Sequence, residues 1–187
     1  MGVVDLGGGF TRIPQQSALG FRSAMTAMAR PGEIQTVSGA NGPAPLSIAA
    51  SVLLLTLCDA DTSVFIGEAH DTEAVRAWIT FHTSAPFTSR SEAMFAIGAW
   101  NDLGSTDEYA IGTDQYPDRS ATLIVEMDQL TNTGATLSGP GIEGTARLTV
   151  PDLAFSQKNA LLYPLGIDLF LTCEDRVAAL PRTTKVL

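Results

Sequence analysis

Apolar and polar positions alternate along this chain at two different periods, and the change from one to the other divides it into elements. After Pro14, Leu19, Phe21, Met25 and Met28 recur at roughly helical spacing, and Arg30-Pro31-Gly32 supplies a stop, which predicts a first helix. A short strand follows through Ile34 and Val37, then a loop rich in Gly and Pro over 39–45. Residues 46–58 are apolar almost all round and too long a run for a typical strand, so a buried helix is expected there. The turn-forming stretch 59–62 leads into a strand at 63–66. Asp71 or Thr72 can cap the next helix, whose Val75, Trp78, Ile79 and His82 fall at i, i+3, i+4 and i+7 on one face.

Strands dominate the second half. Residues 94–100 read as one. Residues 120–127 alternate cleanly, with Ala121, Leu123, Val125 and Met127 on one face and Thr122 and Glu126 on the other. Shorter strands are expected at 135–137 and 146–150, a short helix at 155–162, and a final central strand at 167–173. Between them, 101–119 carries Asp102, Asp107, Glu108, Asp114 and Asp118 and reads as a solvated excursion. Together these predict the α/β class: a single domain over 1–187, with one mixed β-sheet flanked by helices. Residues 1–13 are expected to form a flexible or extended N-terminal segment.

Composition narrows what such a domain can do. With 45% hydrophobic and 17% charged residues, 187 residues are enough for one real core. The net charge of −9 repels a phosphate backbone, so nucleic acid is not an expected partner. All cations but Lys158 and Lys185 are Arg, a planar fork suited to carboxylate or phosphate, which points to anion or partner contacts or to a general preference for Arg. Cys58 and Cys173 lie in apolar runs and read as buried thiols of a reducing compartment. The first twelve residues do not read as a signal peptide, and the longest apolar run, 48–58, is about half the ~20 residues that span a bilayer. A soluble, cytoplasmic protein without membrane contact is expected.

Familiar catalytic constellations fail on context. Gly139-Pro140-Gly141-Ile142-Glu143-Gly144 matches G-x-G-x-x-G, but a dinucleotide site needs those glycines to open a helix, and here a strand follows. Pro140 also removes an amide, and a plain turn is the better reading. No Walker loop, no nucleophile elbow and no paired-Cys motif occur, and no metal site is expected. The remaining candidates each have two readings. His82 extends an apolar helix face near a C-terminus, so it reads as a structural histidine more readily than as a general base. Arg22 and Arg30 lie two turns apart on roughly one side of the first helix and either clamp an anion or form a partner-facing or salt-bridged pair, the better reading. Asp168 enters an apolar strand and calls for an Arg, unless it is a functional carboxylate. Arg182 and Thr183, with Thr184, follow Pro181 and either bind phosphate or form a tail packed on the sheet.

Several blocks occur in the order of a known family. Phe21-Arg22-Ser23-Ala24-Met25-Thr26-Ala27-Met28-Ala29-Arg30-Pro31-Gly32 resembles the opening helix of the PhnH family. Phe81-His82-Thr83, Ser120-Ala121-Thr122-Leu123 and Leu137-Ser138-Gly139-Pro140-Gly141-Ile142 are similar too. Tyr163-Pro164-Leu165-Gly166-Ile167-Asp168 and Leu180-Pro181-Arg182-Thr183-Thr184 complete the set, with Tyr163 where Phe is expected. The resemblance implies a non-catalytic subunit of the bacterial carbon–phosphorus lyase core complex, acting with PhnG, PhnI and PhnJ and forming homodimers when isolated. In that system alkylphosphonate is joined to ribose triphosphate from ATP, and a partner subunit carrying an iron–sulfur cluster breaks the carbon–phosphorus bond. It also implies a fold like the large domain of pyridoxal-phosphate-dependent transferases. A Schiff base needs a Lys, and neither Lys158 nor Lys185 occupies a convincing site, so no cofactor is expected.

Overall fold

The computed structural model describes residues 5–187. Four α-helices and nine β-strands follow in the order α1 (Ile13–Ala29), β1 (Gln35–Thr36), α2 (Ile48–Leu57), β2 (Val64–Ile66), α3 (Glu73–Thr83), β3 (Phe95–Ala99), β4 (Thr122–Glu126), β5 (Ala135–Ser138), β6 (Ala146–Leu148), α4 (Leu153–Ala160), β7 (Asp168–Cys173), β8 (Arg176–Leu180) and β9 (Lys185–Val186). The class is α/β with a mixed sheet, as the alternation predicts. Six strands form the main sheet in the order β1-β8-β7-β4-β3-β2. The run β2, β3, β4, β7 is parallel, while β8 lies antiparallel to β7, and β1 antiparallel to β8. A small antiparallel sheet, β6-β5-β9, stands apart from it.

Both faces of the main sheet are covered, which is why its central strands are buried on both sides. On one face α1, α2 and α3 pack over Ile66, Ile97, Ile124, Phe170, Val177 and Ala179. On the other, the small sheet, α4 and the 101–119 excursion cover Ala96, Leu123, Val125, Leu169, Leu171 and Ala178. Along β4 the even and odd positions therefore serve different cores. The helix caps follow local chemistry: the Ser47 side chain accepts from Ala50 N on α2, Thr72 from Val75 N on α3, and Asp152 from Phe155 N on α4. Thr72, of the two candidates, is the cap of α3.

Three expectations need correction. The strand at 167–173 is central but not final, because Arg176–Leu180 turns back beside it as β8 and Lys185–Val186 forms β9. Helix α1 buries its small residues Gly20, Ala24 and Ala27, while Leu19, Phe21 and Met25 stand outside. The reason is distance. A Cβ on Gly20 would come within 2.6 Å of Thr56 Oγ1 and 2.9 Å of Val52 Cγ1, so α1 sits too close to α2 for large side chains between them. The 101–119 excursion is anchored as well as solvated: Leu103 and Tyr109 are buried, and the Tyr109 hydroxyl donates to Leu103 O at 2.8 Å. Among the described residues no helix is long and apolar enough to cross a membrane.

Candidate functional site

In open sheets of this kind ligands gather beyond the carboxyl ends of the parallel strands, and a helix N-terminus there attracts anions. Here that position is filled from within. The carboxylate of Glu126, the last residue of β4, accepts from Ser47 N at 2.7 Å, the cap residue of α2, and from Thr172 Oγ1 at 2.9 Å. Ala49 N, in the first turn of α2, donates to Glu174 O at 2.8 Å. An internal carboxylate thus caps a helix N-terminus, a position that otherwise attracts an external anion. No sequence signal marked Glu126, whose partners Ser47 and Thr172 lie far away along the chain.

The six predicted site residues do not converge on one cleft. Asp168 and Arg182 meet: Arg182 Nε lies 3.1 Å and 3.2 Å from the two carboxylate oxygens, and Arg182 N donates to Oδ1 at 2.8 Å. The same guanidinium donates to Pro117 O at 2.8 Å and to Ser120 Oγ. With side chains only 12% and 22% exposed, this pair is a closed structural lock in which both charges are satisfied inside the protein. Thr183 is half-buried behind it, and its backbone carbonyl lies against Gly139. Arg22 and Arg30 are exposed on α1, Arg30 with Glu33 at 3.5 Å. His82 is on α3, with α2 packed between α1 and α3. Its Nε2 lies 2.9 Å from Leu6 O, and its ring rests on Trp78 and Phe81 at 4.9 Å each.

That contact belongs to a strap. The chain from Asp5 to Arg12 crosses α3, with Trp78 Nε1 donating to Gly7 O at 2.8 Å and Asn41 N to Gly8 O at 2.7 Å. One buried histidine went unmarked in the sequence. His70 is 5% exposed, its Nδ1 has no hydrogen-bond partner, and Asp102 Oδ2 is 3.9 Å away. A cleft of about 270 Å³ opens between the 106–109 turn and α4, lined among others by Asp107, Tyr109, Phe155 and Lys158. Lys158 Nζ stands at its mouth, exposed and 3.2 Å from Asp107 Oδ1. Lys185 is exposed on β9. Neither lysine is enclosed, and the helix N-terminus is filled, so these residues do not fit pyridoxal phosphate.

Some of the blocks that carry the family resemblance bind one another, and others are held by neighbouring residues. A Cβ on Gly141 (φ +79°) would fall 1.9 Å from Ala29 O, so the Gly139–Gly141 turn docks on the end of α1. It links β5 to β6 and opens no helix, as expected of a plain turn. Gly32 (φ +97°) packs on Ala146, and its carbonyl accepts from Asn132 Nδ2. Buried Asn159 holds both backbone groups of Ile167, at 2.8 Å and 2.9 Å, which fixes the entry to β7. The model of a family described as "Bacterial phosphonate metabolism protein (PhnH)" matches residues 8–187.

The chain belongs to the PhnH family. It is 41% identical over 177 residues to alpha-D-ribose 1-methylphosphonate 5-triphosphate synthase subunit PhnH of Rhizobium meliloti (strain 1021), an alignment spanning 89% of this chain and 88% of that protein. Several of the recognisable motifs hold a turn, a strand entry or a cross-layer contact in this chain.

Proposed function

We propose that this chain is a non-catalytic subunit of the carbon–phosphorus lyase core complex and supports phosphonate catabolism in the cytoplasm. The observation that carries the reading is the match, over 89% of this chain and 88% of the relative, to an alpha-D-ribose 1-methylphosphonate 5-triphosphate synthase subunit PhnH. The internal use of the polar groups supports it: Glu126 fills the helix N-terminus, and Asp168 and Arg182 satisfy each other. The proposed partners are PhnG, PhnI and PhnJ, with a homodimer when the subunit is isolated. Attachment of alkylphosphonate to ribose triphosphate from ATP and cleavage of the carbon–phosphorus bond then fall to partner subunits. The fold reading that goes with this is a single domain akin to the large domain of pyridoxal-phosphate-dependent transferases, kept as a scaffold without the cofactor. Of the candidate residues, Arg22 and Arg30 are read as partner contacts, and His82, Asp168, Arg182 and Thr183 as structural.

Co-expression with PhnG, PhnI and PhnJ tests the reading. The chain should co-purify with them in fixed stoichiometry at cellular salt, and assemblies lacking it should be depleted or inactive. Recovery of the chain only as a separate species, with all three partners folded, sinks the proposal. A rival in which this subunit supplies an anion site predicts a different split. Arg22→Ala would then weaken nucleotide or phosphonate binding by an assembly of normal composition, by roughly 1.5–3 kcal/mol for a lost bond to a charged group.

A further inference from the structure

Helix α1 is built in an unusual way for a helix that covers a sheet. Its inner side is Gly20, Ala24 and Ala27, with half-buried Met28 beside them, while three large apolar side chains point outward: Leu19 is 63% exposed, Phe21 51% and Met25 54%. Between them Ala18, Arg22, Met25 and Ala29 repeat at the i, i+4, i+7, i+11 spacing of a contact stripe, all exposed. The segment 6–32 contains Arg12, Arg22 and Arg30 and no acidic residue, so it carries +3 on a chain of −9. Among the described residues no carboxylate lies within 4.0 Å of Arg12 or Arg22. An exposed helix face that sets Leu19, Phe21 and Met25 beside the unpaired guanidiniums of Arg12 and Arg22, on an otherwise acidic protein, is neither a core face nor a solubility device.

We infer that the outer face of α1 is the surface by which this subunit docks on another, different subunit, one presenting an apolar groove edged with carboxylates. The inference rests on the subunit reading above and adds where the contact is made. Charge selects the occupant. A second copy pairing α1 with α1 about a two-fold axis would set Arg22 against Arg22 and Arg12 toward Arg30, placing like charges together throughout. A carboxylate-edged groove pairs Arg12 and Arg22, and Phe21 and Met25 supply the anchors that leave water. Helix-in-groove contacts use this i, i+3, i+4, i+7 spacing of anchors.

The test uses the full chain co-expressed with its partner subunits, comparing wild type with Phe21→Glu, Met25→Glu, Arg22→Glu and an exposed control pair just past the end of α4, Leu161→Ser and Tyr163→Ser. All the substituted side chains are exposed, and far-UV circular dichroism confirms that each variant folds. Each α1 variant should lower incorporation into the assembly about tenfold or more, the usual effect of losing an interface anchor, and the α4 controls should not. Arg22→Ala should also flatten the salt dependence of incorporation. Wild type incorporated together with every α1 variant overturns the docking site and leaves the subunit reading standing. Wild type never incorporated overturns both. Loss of a homodimer or of higher polymers of the isolated chain in the α1 variants, with incorporation intact, identifies a second copy as the occupant and overturns the inference.

Discussion

Two residues show burial as the main influence on side-chain chemistry in this protein. The thiol of Cys58 is pushed from its ordinary 9.0 up to about 12, chiefly by burial and secondarily by the charge of Asp59. The Tyr109 hydroxyl is raised from 10.0 to about 12 by burial as well, against a lowering pull from Arg90. In both, the folded state holds a proton that the unfolded chain releases earlier. Their contribution to stability is therefore complete below pH 9 and is lost as pH climbs toward 12. Thermal denaturation should show a loss of stability that begins near pH 9 with Cys58 and steepens above pH 10 as Tyr109 joins it, about 1 kcal/mol per pH unit for each group within its own window. Cys58→Ala should reduce the slope of that loss, and an unchanged slope would show that the thiol ionises freely in the folded state. At this scale the sequence was informative where neighbours supply the environment. Cys58 and Asp168 were legible, since a thiol in an apolar run is buried and a carboxylate entering an apolar strand needs a cation. Glu126 and His70 were not, because the groups around them, Ser47 and Thr172 for one and Asp102 for the other, come from distant parts of the chain.

At the scale of elements, the Gly139–Gly144 turn offers a clean experiment. Gly141 and Gly144 both have positive φ, +79° and +73°, but a Cβ on Gly141 strikes Ala29 O whereas one on Gly144 meets nothing within 4 Å. Gly144→Ala should cost roughly 1–2 kcal/mol for the left-handed backbone alone. Gly141→Ala should cost more, roughly 2–4 kcal/mol, because the turn must lift off α1. Equal values in chemical denaturation would mean that the turn is not docked there. The same elements mark the limits of reading periodicity. Strand β4 was legible because alternation is a two-residue property that both buried faces preserve. The inner face of α1 was not, because spacing marks large side chains, whereas close approach to α2 selects Gly20, Ala24 and Ala27. Strand β8 was hidden because Glu174, at φ +55°, turns the chain within two residues, and Arg176–Leu180 shows no polar alternation when both of its faces are covered.

Across the whole molecule, the question is whether two cores make one cooperative unit. The small sheet consists of strands of four, three and two residues, too few to stand alone. It is tied through the structure by the Gly141–Ala29 contact, by Asn132 donating to Gly32 O, and by Arg176 NH1 donating to Leu130 O at 3.0 Å. The two tryptophans happen to sample the two layers. Trp78 is fully buried under the N-terminal strap in the helical layer, and Trp100 packs on Phe155 of α4 at 5.0 Å on the opposite face. In Trp100→Phe, fluorescence reports only the helical layer; in Trp78→Phe, only the other. If the layers fold as one domain, each variant's fluorescence transition in urea should superimpose on its own far-UV circular dichroism transition. The Trp78→Phe midpoint should fall well below that of Trp100→Phe, since it opens a cavity in the core and leaves Gly7 O without its donor. Separate fluorescence and dichroism midpoints within one variant would divide the chain into two units. The α1 surface would then belong to a helical module that could dock without the rest.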